Sequence, residues 1–366
     1  MFLLPVSRSL ATQVLKPVAL RQFYSLGKML WPREGGKFIS ERAKDVQVIP
    51  EGVEKVAAML SESVKEGKMN LKEFLQNDIL PVDKGLTEEQ LLNWTFLVDT
   101  LNFNFWTPDG EPKYTVKDKG RKRTGYMAMV AAINRAIDEG KKIYDPNYYS
   151  KLTIDDIKHI FRSETESTMP LFNERVRVLG EVGKKLIEEY DGTFLNVLKK
   201  ADCSALKLVD IVTSEFECFR DVAKYEGQEV AMFKRAQILA SDIWVLFRGQ
   251  GLGAFTDIDK LTIFADYRVP QAMAHFGVLK YSPSLEEKLK KQHVFQSGER
   301  EEVEIRGCSI HAAELIVERI KDLLSQSGCS ASINSAKVDF FLWDYRLMNA
   351  AALESVPYHR VRCIYY

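Results

Sequence analysis

The sequence predicts a mainly α-helical protein with one small β element. Its 366 residues are 46% hydrophobic and 28% charged, which supplies enough apolar material for a sizeable core. Apolar residues recur at helical spacing in several long segments, while strand signals are few and short. We therefore expect a compact multi-helical fold. The four clearest helical segments are residues 52–67, 125–140, 175–192 and 313–328.

Turn-forming residues mark the ends of these elements. Gly67 follows the first helical segment, and glycine commonly terminates helices because it adopts the left-handed conformation without strain. Residues 113–126 predict a small β-hairpin that turns at Lys119 and Gly120. Residues 359–366 predict a short strand at the C-terminus.

The charge balance and the cysteine pattern limit the classes of function. Lys+Arg and Asp+Glu both number 51, so the net charge is zero. Proteins that bind long nucleic acids through their phosphates usually carry a basic excess, and we therefore expect a small-molecule site and no nucleic-acid polymer. The five cysteines contain no CxxC pair and the five histidines no HExxH motif. The sequence thus predicts neither a disulfide framework nor a metal site.

The N-terminal segment has the composition of a mitochondrial transit peptide. Residues 1–33 contain five Lys and Arg but no Asp or Glu, with Ser and Thr interspersed. The stretch "RQFYS" (21–25) is similar to arginine-led processing sites. The alternative is a disordered leader on a cytoplasmic protein. We expect residues 1–28 to be this leader and the location to be mitochondrial or cytoplasmic.

For the rest of the chain we predict a single catalytic domain without a membrane segment. Residues 29–366 show no low-complexity linker, so we expect a single helical domain, or two lobes at about 29–150 and 151–366. No apolar run approaches the roughly 18 residues of a membrane-spanning helix. We therefore expect no membrane partner.

A glycine-rich string at residues 247–258 ("FRGQGLGAFTDI") invites comparison with dinucleotide-binding loops. The dinucleotide fingerprint follows a β-strand, whereas this string follows the helix-like residues 232–247. Its third glycine is also misplaced for the fingerprint. We therefore interpret Gly249 as a helix C-cap followed by a loop, and predict no nucleotide cofactor.

The stretch "IFADYRVPQ" places Asp266 between two apolar segments. Residues 257–265 predict a short helix capped by Thr256, and Pro270 suits the first turn of the next helix. Residues just before a proline disfavour helical angles, so we expect "DYRV" to be extended. Asp266 then either caps a helix or pairs with Arg268, or it is a catalytic carboxylate at the mouth of a cleft. The local sequence leaves both interpretations open.

A second group of polar residues lies on the helical pattern of residues 338–348. At 100° per residue, Asp339, Trp343 and Arg346 fall on one strip beside the apolar face. Asp344 points well away from Asp339, so we do not expect a regular helix to direct both at one small pocket. A carboxylate beside an aromatic plane suits a heterocyclic base. The alternative is a solvated helix flank.

A third stretch, residues 93–106 ("NWTFLVDTLNFNFW"), is almost entirely apolar. Phe103, Phe105 and Trp106 could stack on a base, but packing in the core is the default for such a run. Asn102 is the polar residue that we single out here.

Nine segments in colinear order over residues 31–366 resemble the queuosine salvage proteins, which are queuosine 5'-phosphate N-glycosylases. The resemblance is nearly full-length, and only the leader lies outside it. The segments are "WPREGGKFI" (31–39), "FLVDTLNFNFW" (96–106), "AAINRAIDEG" (131–140), "FRSETESTMPL" (161–171), "FKRAQIL" (233–239), "FADYRVPQ" (264–271), "VEIRGCS" (303–309), "FLWDY" (341–345) and "HRVRCIYY" (359–366).

The resemblance implies an all-helical enzyme, distantly similar in architecture to helix-hairpin-helix DNA glycosylases. It implies hydrolysis of the N-glycosidic bond of queuosine 5'-monophosphate, which releases ribose 5-phosphate and queuine, the 7-deazaguanine base reused for tRNA modification. It implies no metal and no organic cofactor. The alternatives are a nonenzymatic binder of modified nucleosides or tRNA, and a DNA glycosylase. Both polymer-binding alternatives are disfavoured by the lack of a basic excess.

The resemblance also implies roles for particular residues. Asp266 would stabilise the positive charge that develops on the sugar and would orient or deprotonate the attacking water. Asp339 or Asp344 would accept hydrogen bonds from the base. Phe264 or Trp343 would stack on its face. This site requires Asp266 and residues 339–346 to face one pocket. The candidates to hold the 5'-phosphate are Lys234, Arg235, Arg306 and His359.

Overall fold

Helices dominate the part of the chain that the computed structural model describes, residues 29–74 and 79–366. The mainly α prediction is confirmed, while the predicted leader at residues 1–28 lies outside the described residues. No helix in the described part is long and apolar enough to cross a membrane. The helices are α1 (Pro32–Ser40), α2 (Pro50–Lys65), α3 (Leu71–Phe74), α4 (Glu88–Thr100), α5 (Gly125–Asp138), α6 (Pro146–Tyr149), α7 (Ile154–Ile160), α8 (Phe172–Glu189), α9 (Phe194–Ala201), α10 (Ala205–Glu215), α11 (Lys234–Leu246), α12 (Arg268–His275), α13 (Pro283–Lys290), α14 (Arg300–Gln326), α15 (Ser335–Met348) and α16 (Ala350–Leu353).

The strands of the described residues are short and pair two by two. The predicted hairpin is confirmed as β2 with β3, and Lys119 and Gly120 have φ of 46° and 78°, as a tight type I′ turn requires. The predicted C-terminal strand is limited to β8, which pairs in parallel with β7. The strands are β1 (Val46–Val48), β2 (Thr115–Asp118), β3 (Arg121–Thr124), β4 (Val222–Tyr225), β5 (Gln228–Ala231), β6 (Leu279–Tyr281), β7 (Val294–Phe295) and β8 (Arg360–Val361).

The four predicted helical segments are confirmed as α2, α5, α8 and the second half of α14. Gly67 follows α2 with φ of 74°, as expected for a C-terminal glycine. The glycine-rich string follows α11, and Gly249 (φ 69°) donates its N–H to the carbonyl of Trp244 at 2.8 Å. Because a helix and not a strand precedes it, this string is a helix end and not a dinucleotide-binding loop.

Helix α1 packs against α14, and each helix contributes a glycine to the contact. A Cβ added at Gly307 would lie 2.5 Å from Cδ1 of Ile39. A Cβ added at Gly36 would lie 2.7 Å from Cγ2 of Ile310. A larger residue at either position would force the facing isoleucine or its helix to move, so this pair of glycines allows α1 and α14 to pack in their present positions.

Two hydrophobic clusters form the core of the described chain. One is built mainly from α4, α5 and α8–α11, and the other mainly from α1, α2, α12, α14 and α15. Leu261 belongs to the first cluster and Ile263 to the second, so the segment between α11 and α12 passes from one to the other. The division of the chain into one domain or two lobes stays a prediction.

The helix predicted for residues 257–265 is wrong. Only Ile258–Lys260 forms a short 3₁₀ turn; Leu261 is extended, and residues 262–265 form neither helix nor strand. Thr256 does not cap this turn; its hydroxyl donates to the carbonyl of Cys203. Residues 261–265, which precede Asp266, are therefore a buried non-helical stretch.

Buried side chains from three different helices replace the helical hydrogen bonds of this segment. Backbone polar groups that are removed from water need partners, and here α11, α14 and α15 provide them. Because distant residues satisfy these backbone groups, an apolar run with helical spacing does not form a helix here. The three pairs, each at 2.8 Å, are the N–H of Thr262 with Oε1 of Gln237, the N–H of Phe264 with Oδ2 of Asp339, and the carbonyl of Ala265 with Nε of Arg306.

The expectation that "DYRV" is extended is also wrong. Helix α12 already begins at Arg268, and Pro270 lies in its first turn as predicted. The Oδ1 atom of Asp266 accepts hydrogen bonds from the N–H groups of Arg268 and Val269, at 2.7 and 3.0 Å. These two bonds satisfy N–H groups that a helix start leaves unpaired, and they outweigh the preference of pre-proline residues for extended angles.

Candidate active site

A cavity of about 320 Å³ opens where the two hydrophobic clusters meet. Its wall is formed by α4, α11 and α15, by the start of α5, and by residues 264–269. Asp266 and the helix that carries residues 339–346 therefore line one cavity. The site predicted from the sequence requires this arrangement.

Aromatic side chains form much of the cavity wall. Phe264 and Trp343 both line it, and Trp343 contacts Tyr126 edge-to-face with ring centroids 6.1 Å apart. Phe105 and Trp106 line it as well, whereas Phe103 is fully buried away from it. Flat apolar walls of this kind suit a planar heterocycle, which gains both burial and ring contacts.

Asp266 lines the cavity, and within the described residues only one of its two carboxylate oxygens is hydrogen-bonded. Its Oδ1 atom caps α12, and no hydrogen bond among the described residues involves Oδ2. The preceding carbonyl, that of Ala265, is fixed by Arg306. The capping interpretation and the catalytic interpretation of this residue are therefore compatible, because each uses a different oxygen.

Asp339 lies on α15 and is only 4% exposed. Its Oδ2 atom accepts the hydrogen bond from the N–H of Phe264. Burial raises the pKa of Asp339 well above its ordinary value, and the carboxylate of Asp266 acts in the same direction. A protonated Asp339 can donate a hydrogen bond into the cavity with its second oxygen while the first continues to hold Phe264.

Lys234 is a buried ammonium group in the same wall. Its Nζ lies 3.4 Å from both the carbonyl and the Oδ1 atom of Asn102, so these hydrogen bonds are long. Burial lowers the pKa of Lys234, while the carboxylates of Asp266 and Asp99 oppose this shift. Lys234 thus compensates the negative charge that the aspartates bring to this side of the cavity.

Two further aspartates of this group were not predicted from the sequence. Asp242 on α11 lines the cavity, and Asp99 on α4 is fully buried beside Asn102, which donates to its Oδ1 atom at 3.2 Å. Burial raises the pKa of Asp99 to about 7 and that of Asp242 well above its ordinary value. The available signal was one acidic residue beyond the first turn of each of two largely apolar helices, because an aspartate is rarely buried without a partner.

Replacement of Asp99 by asparagine tests whether the pKa of this buried carboxyl group is raised. Because the native pKa is about 7 against an ordinary value of 3.8, folded Asp99 keeps a proton that the unfolded chain releases as the pH rises between these values. Its contribution to the free energy of unfolding is therefore present at low pH and is lost as pH rises toward 7. In this window the free energy of unfolding should fall with rising pH less steeply in Asp99→Asn than in the unmodified protein. We expect the two slopes to differ by about 1.4 kcal/mol per pH unit.

Urea unfolding at several pH values between about 4 and 7 measures the difference between the two proteins. Titrating groups that do not interact with Asp99, such as the buried His359, act in both proteins and cancel in the difference, whereas Asp242 and Lys234 respond to the charge of Asp99 and contribute to it. The amide of the variant still accepts from Asn102, so folding is preserved. Parallel pH dependences in both proteins would contradict a raised pKa at Asp99.

Helix α15 contributes more of the wall than its sequence pattern predicted. Asp344 lines the same cavity as Asp339, so the expectation that one helix cannot direct both there is wrong. At 100° per residue the lining positions between 339 and 347 span an arc of about 160°, with Asp339 near one edge and Asp344 near the other. The cavity runs along the helix and contacts this whole face. Burial raises the pKa of Asp344 to about 6.

Three of the four basic residues proposed for the 5'-phosphate lie outside the cavity lining. Arg235 is buried and donates to the carbonyls of Asp99, Thr100 and Cys218, which leaves it committed to the backbone. Arg235 therefore binds the backbone at the end of α4 and is not available as a phosphate ligand.

Arg306 and His359 are likewise committed to the interior. Arg306 donates to both carboxylate oxygens of Asp221 and to Glu302 at 3.2 Å, so its charge is already compensated. His359 is 1% exposed, and burial together with Arg306 lowers its pKa to about 3. A neutral imidazole without access to the cavity does not suit an anion. Among the four candidates, only Lys234 lines the cavity.

The described residues contain no group of three or more His, Cys, Asp or Glu side chains arranged to hold a metal ion. The side chains that line the cavity offer carboxyl groups, the ammonium groups of Lys113 and Lys234, two arginines and aromatic faces. These two arginines, Arg268 and Arg346, were not among the predicted site residues, although both line the cavity.

Comparison with known proteins places the chain in one family. The sequence model of the family described as "Queuosine salvage protein" matches residues 82–366. A protein of Bos taurus named "Queuosine 5'-phosphate N-glycosylase/hydrolase" is 42% identical over 340 residues, which are 92% of this chain and 99% of that protein.

Proteins with the same name are found in distant organisms. The Mus musculus protein is 42% identical over 342 residues, 93% of this chain and 100% of its own length. The bacterial protein of Sphaerobacter thermophilus is 41% identical over 278 residues, 76% of this chain and 82% of its own length. Since the family match and these relatives cover most of the sequence, the chain belongs to the queuosine salvage protein family.

Proposed function

We propose that the protein hydrolyses the N-glycosidic bond of queuosine 5'-monophosphate and releases queuine and ribose 5-phosphate. The names of its relatives support this substrate and this reaction. The structural observation that carries the proposal is Asp266, which has one oxygen fixed at the start of α12 and the other free at an aromatic-walled cavity.

Cleavage of the bond between C1′ and the base develops positive charge on the ribose, as in other glycoside hydrolyses. The carboxylate of Asp266 stabilises this charge and accepts a proton from the attacking water. A C1′–O bond forms as the C1′–N bond breaks, and the bonding electron pair leaves with the base. The base takes up a proton from water to give neutral queuine, and Asp266 returns the proton it accepted to the solvent. Because its position is fixed by the helix cap, Asp266 needs no reorganisation before the reaction.

The leaving base needs assistance because a 7-deazaguanine lacks the N7 atom that accepts a proton in guanine. Hydrogen bonds to the pyrimidine edge must therefore stabilise the departing electron pair. We place this edge near Asp339 and the base plane between the aromatic walls that include Phe264 and Trp343. Asp344, with a pKa of about 6, is the second carboxyl group on the same helix face.

Release of the free base tests this function directly. We expect the purified protein to convert queuosine 5'-monophosphate to queuine and ribose 5-phosphate, with and without a metal chelator, as measured by liquid chromatography of the products. Guanosine 5'-monophosphate and damaged duplex DNA serve as comparison substrates. Tight binding of the nucleotide without any base release over hours would instead support the alternative of a nonenzymatic nucleoside binder.

A further inference from the structure

The loop that follows α4, residues 102–109, forms part of the cavity wall without any helix or strand of its own. Asn102, Phe105 and Trp106 of this wall loop line the cavity. A largely buried loop must find partners for its backbone polar groups outside helices and sheets. Arg175 on α8 binds backbone carbonyls in the first half of the loop, so the position of the second half depends on other partners.

Asn104 holds the centre of the wall loop in an unusual backbone conformation. It is fully buried with φ of 52°, in the left-handed region that residues other than glycine rarely adopt. Such a conformation persists only where the surrounding contacts enforce it. Its Nδ2 atom donates to the carbonyl of Val361 at 2.7 Å, and its Oδ1 atom accepts from Nη1 of Arg362 at 2.5 Å. Its backbone N–H donates to the main-chain oxygen of Tyr366 at 2.9 Å.

The same C-terminal residues fix the indole of Trp106. Its Nε1 atom donates at 2.9 Å to the carbonyl of Val361, which also accepts from Asn104. The guanidinium of Arg362 lies over the indole at 3.4 Å from the ring centroid, and its Nη1 atom donates to the carbonyl of Trp106 at 3.0 Å. An indole that is held at its N–H, across its ring and at its own backbone has little freedom to rotate.

Arg362 acts on the cavity only through these contacts. It is exposed and does not line the cavity, whereas Trp106 is buried and does line it. The guanidinium therefore reaches the cavity wall from the solvent side. Through Asn104 and Trp106 it connects the C-terminal residues to the wall loop at two successive points.

We propose that Arg362 and Asn104 are positioning residues for the reaction, which hold Trp106 as a fixed part of the wall of the substrate cavity. The inference rests on the proposed function. A preformed wall contributes equally to binding of the substrate and of the transition state, so its loss raises KM and leaves kcat nearly unchanged. A variant that is merely less stable instead loses active enzyme, which lowers the apparent kcat and leaves KM unchanged.

The variants Arg362→Met and Asn104→Gly remove the contacts in ways that the backbone permits. Methionine keeps an apolar stem beside the indole without the charge and the donors, and glycine adopts positive φ without strain. We expect each variant to raise KM for queuosine 5'-monophosphate about 5- to 20-fold with kcat within about twofold. Arg362→Lys retains a cation and a donor at the ring, so its KM should return to within about threefold of the unmodified protein.

Arg42→Met is the matched control for loss of an arginine that lies over an aromatic ring. The exposed Arg42 lies over the ring of Phe38 at 4.0 Å, and both residues are outside the cavity lining. This variant should change neither KM nor kcat. An unchanged KM in Arg362→Met, a fall in kcat alone, or no recovery in Arg362→Lys would overturn the positioning role.

Amide hydrogen exchange tests the same role without any substrate. Because the N–H of Asn104 is bonded to the main-chain oxygen of Tyr366, release of the wall loop should speed exchange in residues 102–109. We expect exchange about tenfold faster or more in Arg362→Met and no change in Arg42→Met. Equal exchange in the two variants would show that Arg362 does not hold the loop. If the unmodified protein releases no queuine from any nucleotide, the proposed function fails, while the exchange rates still decide whether Arg362 positions the wall.

Discussion

Asp266→Asn is expected to lower kcat/KM for release of queuine from queuosine 5'-monophosphate by about 10³-fold or more. The substitution removes the negative charge that faces the developing positive charge on C1′, and it removes the group that accepts the proton of water. Each of these effects alone contributes on the order of 10²- to 10³-fold in comparable sites. Steady-state kinetics with chromatographic detection of queuine measures the loss.

Asp266→Asn removes the charge of the side chain but keeps its structural role. Its amide oxygen can accept the hydrogen bonds from Arg268 and Val269 that Oδ1 of Asp266 now accepts, so the cap of α12 is retained. We therefore expect the free energy of unfolding to change by less than about 1 kcal/mol. Full turnover by this variant would remove Asp266 from the mechanism.

A second aspartate provides the matched control for helix capping. Asp257 accepts hydrogen bonds from the N–H of Ala205 at 2.5 Å and the hydroxyl of Ser204 at 2.6 Å, at the start of α10 and outside the cavity lining. Asp257→Asn makes the same chemical change at another helix start. It should leave both kcat and KM unchanged, so a loss limited to Asp266→Asn reports on the cavity.

The helices could be predicted from the sequence because their signals are local. The apolar spacing of residues 52–67 and 125–140 and the glycines that follow them depend only on neighbours along the chain. The turn at Lys119 and Gly120 has the same local character, since both residues adopt positive φ within one tight loop.

The segment before Asp266 shows why the remainder could not be predicted. Its non-helical conformation depends on Gln237, Asp339 and Arg306, which come from three helices elsewhere in the chain. No local pattern contains this information, and the apolar spacing of residues 257–265 instead favoured a helix. Tertiary hydrogen bonds decided the conformation against the local propensity.

The candidate site was predicted in part, and mainly through family resemblance. The resemblance drew attention to Asp266 and Asp339, which the structure brings to one cavity. It did not indicate which basic residues face inward, because Arg235 and Arg306 differ from Arg268 and Arg346 only in their tertiary partners. A buried arginine with backbone or carboxylate partners and one without them have the same appearance in a sequence.

The second large effect is expected at Asp339. Asp339→Leu should lower kcat/KM for queuosine 5'-monophosphate by about 100-fold, because the hydrogen bond to the leaving base is lost in a buried site. It should also lower the free energy of unfolding by about 1–3 kcal/mol, since the buried N–H of Phe264 loses its acceptor. Kinetics of base release and urea unfolding measure the two effects separately.

Asp339→Asn separates the hydrogen bond from the charge. Because its pKa is raised well above the ordinary value, we expect Asp339 to act as a neutral carboxyl group, and an amide likewise offers an acceptor to Phe264 and a donor to the cavity. Its unfolding free energy should match that of the unmodified protein, and kcat/KM should fall by less than about tenfold. A loss as large as that of Asp339→Leu would show that the ionised carboxylate is required, as an acceptor for the N–H groups of the base. Unchanged kinetics in both variants would exclude Asp339 from base recognition and leave it as the residue that fixes Phe264.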